Sequence, residues 1–114
     1  RAGVTHLGLQ ASNNERHAQK IVYEYLANAT IPVVVGGDLN TKPSQPAAQY
    51  FMQQYTSSLA ASVFTYPASS PTSQIDYLFY GPISMNRLSL VEAKTCTVEL
   101  ASDHLPVLAK YKFK

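Results

Sequence analysis

Charge is scarce in this chain: only 14% of its 114 residues are Asp, Glu, Lys or Arg, against roughly 25% in an average soluble domain. Nine basic and seven acidic side chains leave a net charge of +2, with no run of Lys or Arg. The charge alone therefore argues for no nucleic-acid partner. Tryptophan is absent and cysteine occurs once, at Cys96, which excludes an internal disulfide and a cysteine zinc site. Cys96 is expected as a small core or half-buried strand residue. No apolar run is long enough to cross a membrane. No leader is visible, and because the first residue is Arg1 a processed or cut N-terminus is expected. Tyr, Ser, Thr, Asn and Gln carry the polar surface instead, and the low charge leans towards a secreted or periplasmic protein. A chain of 114 residues fits one domain with a real but modest core.

Against that background the run Val33-Val34-Val35-Gly36-Gly37-Asp38-Leu39-Asn40 stands out. Residues 31–35 do not alternate, so they read as a central strand covered on both faces. Gly36 and Gly37 permit a sharp turn or a close approach to a ligand. In a still-extended backbone Asp38 and Asn40 project to one side, at the strand end where open α/β sheets bind ligands. A plain turn explains the same residue types equally well.

Residues 3–9 read as a strand, with Val4 and His6 on one face and Thr5, Leu7 and Leu9 on the other. Asn13 or Asn14 is a good N-cap for a helix over residues 15–27, whose apolar positions are Ala18, Ile21, Val22, Tyr25 and Leu26. Strand, helix and strand form a right-handed βαβ unit with parallel strands. Pro46 opens a second helix with Ala47, Ala48, Phe51, Met52 and Tyr55 on one face. Further strands are expected at residues 63–67, 74–80, 88–94, 97–100 and 106–113. The sum is an α/β fold, a mixed sheet with packed helices. Asn28-Ala29-Thr30 is a formal glycosylation triplet, and a helix C-cap explains Asn28 as well.

Polar residues recur where strands begin or end: His6, Asp38 with Asn40, Asp76, and Asp103 with His104. Singly, each has a structural explanation. Asp76 is the oddest, because Asp is depleted in strands and a buried carboxylate needs a partner. Together they are what a metal-assisted phosphoester hydrolase needs. Hard oxygen ligands suit Mg²⁺ or Mn²⁺, imidazoles neutralise or protonate phosphoryl oxygens, and a carboxylate orients water.

Thr5-His6-Leu7, Arg16-x-x-Gln19, Gly37-Asp38-Leu39-Asn40, Thr65-Tyr66-Pro67, Ile75-Asp76-Tyr77-Leu78-Phe79 and Ser102-Asp103-His104-x-Pro106 occur in this order. The series resembles the endonuclease/exonuclease/phosphatase superfamily, which includes DNase-like nucleases, neutral sphingomyelinases and inositol-phosphate phosphatases. The resemblance covers nearly the whole chain but only the C-terminal half of a family domain. It implies a layered α/β sandwich of the DNase-like type, represented by one mixed β-sheet with packed helices. It further implies a divalent-metal-dependent phosphoesterase acting on a phosphodiester, with Mg²⁺ or Mn²⁺ as cofactor. The partner would be a phosphoester substrate: a nucleic acid, a phospholipid or a phosphorylated small molecule.

By the same resemblance, Asp38 positions or activates the attacking water, and Asn40 orients Asp38 and contacts the phosphate. Asp103 is a metal-site carboxylate, with Asp38 and Asn40 also placed at the metal. His104 contacts the phosphate and is held in its tautomer by Asp76. His6 is a second phosphate-contacting or general-acid histidine. Arg16 and Gln19 are expected to fasten their helix to a neighbouring loop. The glutamate that is usually the principal metal ligand has no counterpart, since Glu15, Glu24, Glu92 and Glu99 lie in the wrong surroundings. A missing N-terminal half is therefore expected, leaving one sheet face open. A non-catalytic scaffold of the same fold is the competing expectation.

Overall fold

The computed structural model describes residues 1–81, 86–97 and 101–114, without the Tyr25 side chain. Strand β1 (Ala2–His6) leads into helix α1 (Ala11–Lys20), which continues as a π-helical turn over Ile21–Leu26. Strand β2 (Val34–Asp38), helix α2 (Pro46–Gln54), the short strand β3 (Thr56–Ser57) and strand β4 (Asp76–Tyr80) follow. Strands β5 (Leu88–Thr95) and β6 (Val107–Phe113) complete the described elements.

Four strands make one mixed sheet in the order β1-β2-β4-β3. β1 and β2 are parallel, joined through α1 as the βαβ pattern requires, while β4 runs antiparallel to both β2 and β3. β5 and β6 pair antiparallel as a separate two-stranded ladder, with a register shift between Leu90 and Glu92. That ladder meets the main sheet where the Tyr111 ring packs edge-on against Tyr80 at 5.5 Å.

The helices cover one face of the sheet. Ala18, Val22 and Leu26 recur every four residues and are buried, as are Ala47, Ala48 and Phe51 of α2. Phe51 stacks on Phe79 at 5.1 Å, and Phe79 on Tyr77 at 5.3 Å, so an aromatic column joins helix to sheet. Truncating a ring such as Phe51 in this setting costs about 3–5 kcal/mol. Gln19 donates to the Tyr50 hydroxyl at 2.6 Å and so fastens α1 to a second helix, α2, where a loop was expected.

The opposite face carries Val4, Gly36 and Leu78 in one row and His6, Asp38 and Asp76 in the next. Val4 is 91% exposed. Residue 36 is glycine because a Cβ there would lie 2.5 Å from Leu78 Cδ2 and 2.9 Å from the Tyr77 carbonyl oxygen.

Several boundaries differ from those read in the sequence. β2 begins at Val34; Ile31 is 47% exposed in the approach to the strand. α1 starts at Ala11, with Gln10 at its N-cap and Asn14 turned into the core. Residues 63–67 form no strand, and only a bridge between Tyr66 and Ser73 marks them. β4 starts at Asp76, two residues later than expected. Of the strand expected at 97–100, residues 98–100, including Glu99, lie outside the described residues. Cys96 is half-buried, as its setting suggested.

Candidate active site

Parallel pairing of β1 with β2 and antiparallel pairing of β2 with β4 bring three polar residues into one row. His6 is opposite Asp38, and Asp38 is opposite Asp76. All three stand at the same rim of the sheet, because the C-terminal ends of β1 and β2 coincide with the start of β4. Tight pairing here depends on Gly37, which has a φ of 146°; a Cβ would lie 1.8 Å from the Thr5 carbonyl oxygen. The two glycines thus serve contact between strands, and no turn occurs at them.

The chain leaves β2 immediately after Asp38. Asn40 adopts the left-handed region at φ 48°, and its backbone N–H donates to Asp38 Oδ1 at 2.7 Å. Asp38 and Asn40 therefore meet through a turn, where the sequence had suggested an extended segment. The Asn40 side chain is oriented by donation from Nδ2 to the Leu7 carbonyl at 2.6 Å. The same Nδ2 lies 3.2 Å from His6 Nε2, which in turn lies 3.5 Å from Asp38 Oδ2. His6 Nε2 accepts from the amide when it bears no proton and donates to the carboxylate when it does. Both protonation states of this imidazole have a partner.

His104 arrives from the segment between β5 and β6. Leu105 N–H donates to the Thr65 carbonyl at 2.8 Å, and Ala68 N–H to the Asp103 carbonyl at 2.7 Å. The Tyr66 ring lies 4.8 Å from the imidazole. His104 Nδ1 faces both oxygens of Asp76, at 3.1 and 2.9 Å. An ionised carboxylate has no proton to give, so Nδ1 carries the hydrogen and donates. Nε2 then points to the open side, 3.8 Å from Asp38 Oδ2 and 4.0 Å from Asp103 Oδ1. Burial disfavours the charged imidazole, but the hydrogen bond to Asp76 and the charges of Asp76, Asp38 and Asp103 outweigh it. The His104 pKa is raised above the ordinary histidine value.

Five of the residues singled out in the sequence thus converge: His6, Asp38, Asn40, Asp76 and His104. Asp103 is beside them with its side chain 76% exposed. Ligand atoms of Asp38, Asp76 and His104 all lie within 4.8 Å of one another, a group able to hold a metal ion. Both Asp76 oxygens already face His104. For a hard cation Asp38 is therefore the better-suited oxygen donor of this group, which does not include Asp103, so the residues present fit such an ion in part.

Three residues hold this constellation without any part in the site having been read for them. The buried Asn14 donates from Nδ2 to the carbonyls of Leu39 and Asn40, at 3.3 and 3.2 Å, clamping the turn behind Asp38. A visible signal existed: Asn14 continues the Ala18, Val22 stripe one turn earlier, and a polar residue there must have partners. Thr65 Oγ1 accepts from the backbone N–H groups of Ile75 and Asp76, at 3.1 and 3.2 Å. The Tyr77 hydroxyl lies 2.7 Å from the Thr41 carbonyl and 3.2 Å from that of Gln74. Burial and the Asp76 charge push the Tyr77 pKa up.

The model of the Endonuclease/Exonuclease/phosphatase family matches residues 3–104. The chain belongs to this family. No curated protein matches it. Among solved structures, a conserved protein of unknown function from Enterococcus faecalis superposes with a TM-score of 0.77 at 19% identity, over 97% of this chain and 49% of that one. A mannosyl-6-phosphatase from Bacteroides thetaiotaomicron gives 0.75 at 20% identity, covering 96% and 50%. The human Nocturnin catalytic domain with bound sulfate gives 0.69 at 20%, covering 97% and 46%. The fold of this family member is therefore the α/β fold of those proteins, and it spans about half their length. No described helix is long and apolar enough to cross a membrane.

Proposed function

We propose that this family member is the C-terminal half of a divalent-metal-dependent phosphoesterase that hydrolyses a phosphodiester by in-line attack of an activated water. One observation carries the reading. Asp38 Oδ2 stands between two imidazole nitrogens, 3.5 Å from His6 Nε2 and 3.8 Å from His104 Nε2, while Oδ1 is held by the Asn40 backbone. An oriented carboxylate flanked by N–H donors suits a water beside a phosphoryl group.

In this reading Asp38 Oδ2 takes a proton from the water as its oxygen bonds to phosphorus. The bond from phosphorus to the leaving oxygen breaks. His104 Nε2–H donates to a phosphoryl oxygen, its charge supported by Asp76 from the far side. His6 Nε2 contacts the phosphate or gives its proton to the leaving oxygen. Asp38, Asn40 and Asp103 would hold the Mg²⁺ or Mn²⁺ ion, which when bound neutralises phosphoryl charge.

The remaining metal ligands and much of the substrate surface belong, in this proposal, to an N-terminal half packed on the open face bearing Val4. The coverage of about half of each solved neighbour supports that arrangement. The test is hydrolysis of bis-p-nitrophenyl phosphate by the full-length protein in Mg²⁺ or Mn²⁺. Turnover abolished by EDTA and restored by excess metal supports the proposal; turnover indifferent to EDTA overturns it.

A further inference from the structure

Beside His6, on the flank away from Asp76, a shallow cleft of about 180 Å³ opens between β1 and the C-terminal end of α1. Thr5, His6 and Leu7 form one wall, and His17, Lys20 and Ile21 form the other. β1 is the edge strand of its sheet, so no further strand of the described sheet closes this side. His17 and Lys20 are three residues apart and lie together on the helix surface, both exposed. Among the described residues neither forms an ion pair. Glu24, one turn beyond Lys20, is exposed and is not bridged to it.

This basic wall contrasts with the site it adjoins. Asp38, Asp76 and Asp103 make the catalytic rim acidic, and no Lys or Arg is found among the residues gathered there. His6 is common to both places: it is among the residues lining the cleft, and its imidazole reaches Asp38. We propose that the cleft is a second anion subsite, in which Lys20 and His17 bind a phosphate of the substrate other than the one being cleaved. The inference rests on the phosphoesterase reading and narrows its substrate class. The preferred ester carries two phosphates, one reacting at Asp38 and one docked on the Lys20 side of His6. An ammonium unpaired by any neighbouring carboxylate binds such a dianion by charge-assisted hydrogen bonds. Lys20 and His17 act here as specificity residues and touch no reacting atom.

Binding measured apart from turnover separates this inference from the catalytic one. Isothermal titration uses the full-length protein carrying Asp38→Asn, in Mg²⁺, against two ligand pairs. The nucleotide pair is 5′-phosphorylated dithymidine (pdTpdT) and dTpdT; the sugar pair is glucose 1,6-bisphosphate and glucose 1-phosphate. The doubly phosphorylated member of at least one pair is expected to bind about tenfold more tightly. Added His17→Ala and Lys20→Ala reduce that preference to less than about twofold, and Lys20→Arg preserves it. A preference confined to one pair identifies the scaffold, nucleotide or sugar; in both pairs, the second phosphate alone is recognised. Equal affinities within both pairs, a preference that survives the double substitution, or no binding of any of the four overturns the proposal. A failure of the phosphoesterase reading shows instead as absent hydrolysis by the unsubstituted protein.

Discussion

His104 Nδ1 lies 2.9 Å from Asp76 Oδ2, although the two residues are 28 positions apart, one at the start of β4 and the other in the segment before β6. The contact settles which edge of the imidazole is free for chemistry and explains why an acid begins strand β4. Removing that charge by Asp76→Asn retains the shape but not the anion. The expected result is a fall in kcat/KM of about 10- to 100-fold, together with a lower His104 pKa in an imidazole NMR titration. An unchanged titration would show that Asp76 does not support the charged ring.

The same contact makes stability depend on pH, with a definite sign. His104 has a higher pKa folded than unfolded, so its stabilising contribution is complete below the unfolded histidine range. It is lost as pH rises through the raised folded value. Thermal unfolding midpoints are expected to fall across that interval in the parent protein and to fall less in Asp76→Asn. Parallel profiles would contradict the assignment.

Two glycines in neighbouring strands predict opposite outcomes. Gly37→Ala forces a Cβ to within 1.8 Å of the Thr5 carbonyl oxygen at a φ of 146°. It should cost more than about 3 kcal/mol in urea unfolding, or prevent folding. Gly3→Ala meets Val35 Cγ2 at an ordinary 3.6 Å and is expected to change stability by less than about 1 kcal/mol.

These residues also show what could be read before any coordinates. The βαβ unit, the Ala18–Val22–Leu26 stripe and the polar positions at the strand ends were legible, because period and residue type carry them. The strand register that sets His6, Asp38 and Asp76 in one row was not, since register is fixed by packing between strands. The start of α1 was misplaced because Asn14 has the composition of a cap, whereas its partners lie 25 and 26 residues away. The expected strand at 63–67 is replaced by a segment that Thr65 ties to Ile75, Asp76 and Leu105, contacts ten or more residues away that leave no periodic pattern. Asn40 was placed on the correct side for a different reason: a left-handed turn, not an extended backbone, brings it back to Asp38.

Asn14 offers a test of positioning from a distance. Asn14→Ala leaves the Leu39 and Asn40 carbonyls without their donor and should cost about 1–3 kcal/mol. Asn14→Asp, of the same shape but accepting only, should cost at least as much and lower turnover through the loosened turn. Wild-type stability in Asn14→Asp would show that its donated hydrogen bonds are not what holds the loop.

The most direct test of the central claim is kcat/KM for bis-p-nitrophenyl phosphate in Mg²⁺, measured for the full-length protein and for its Asp38→Ala and His104→Ala variants. Each variant is expected to lose at least about 100-fold, with folded circular-dichroism spectra. Variants that fold and turn over at the parental rate would contradict the claim that this rim of the sheet is where the phosphoester is cleaved.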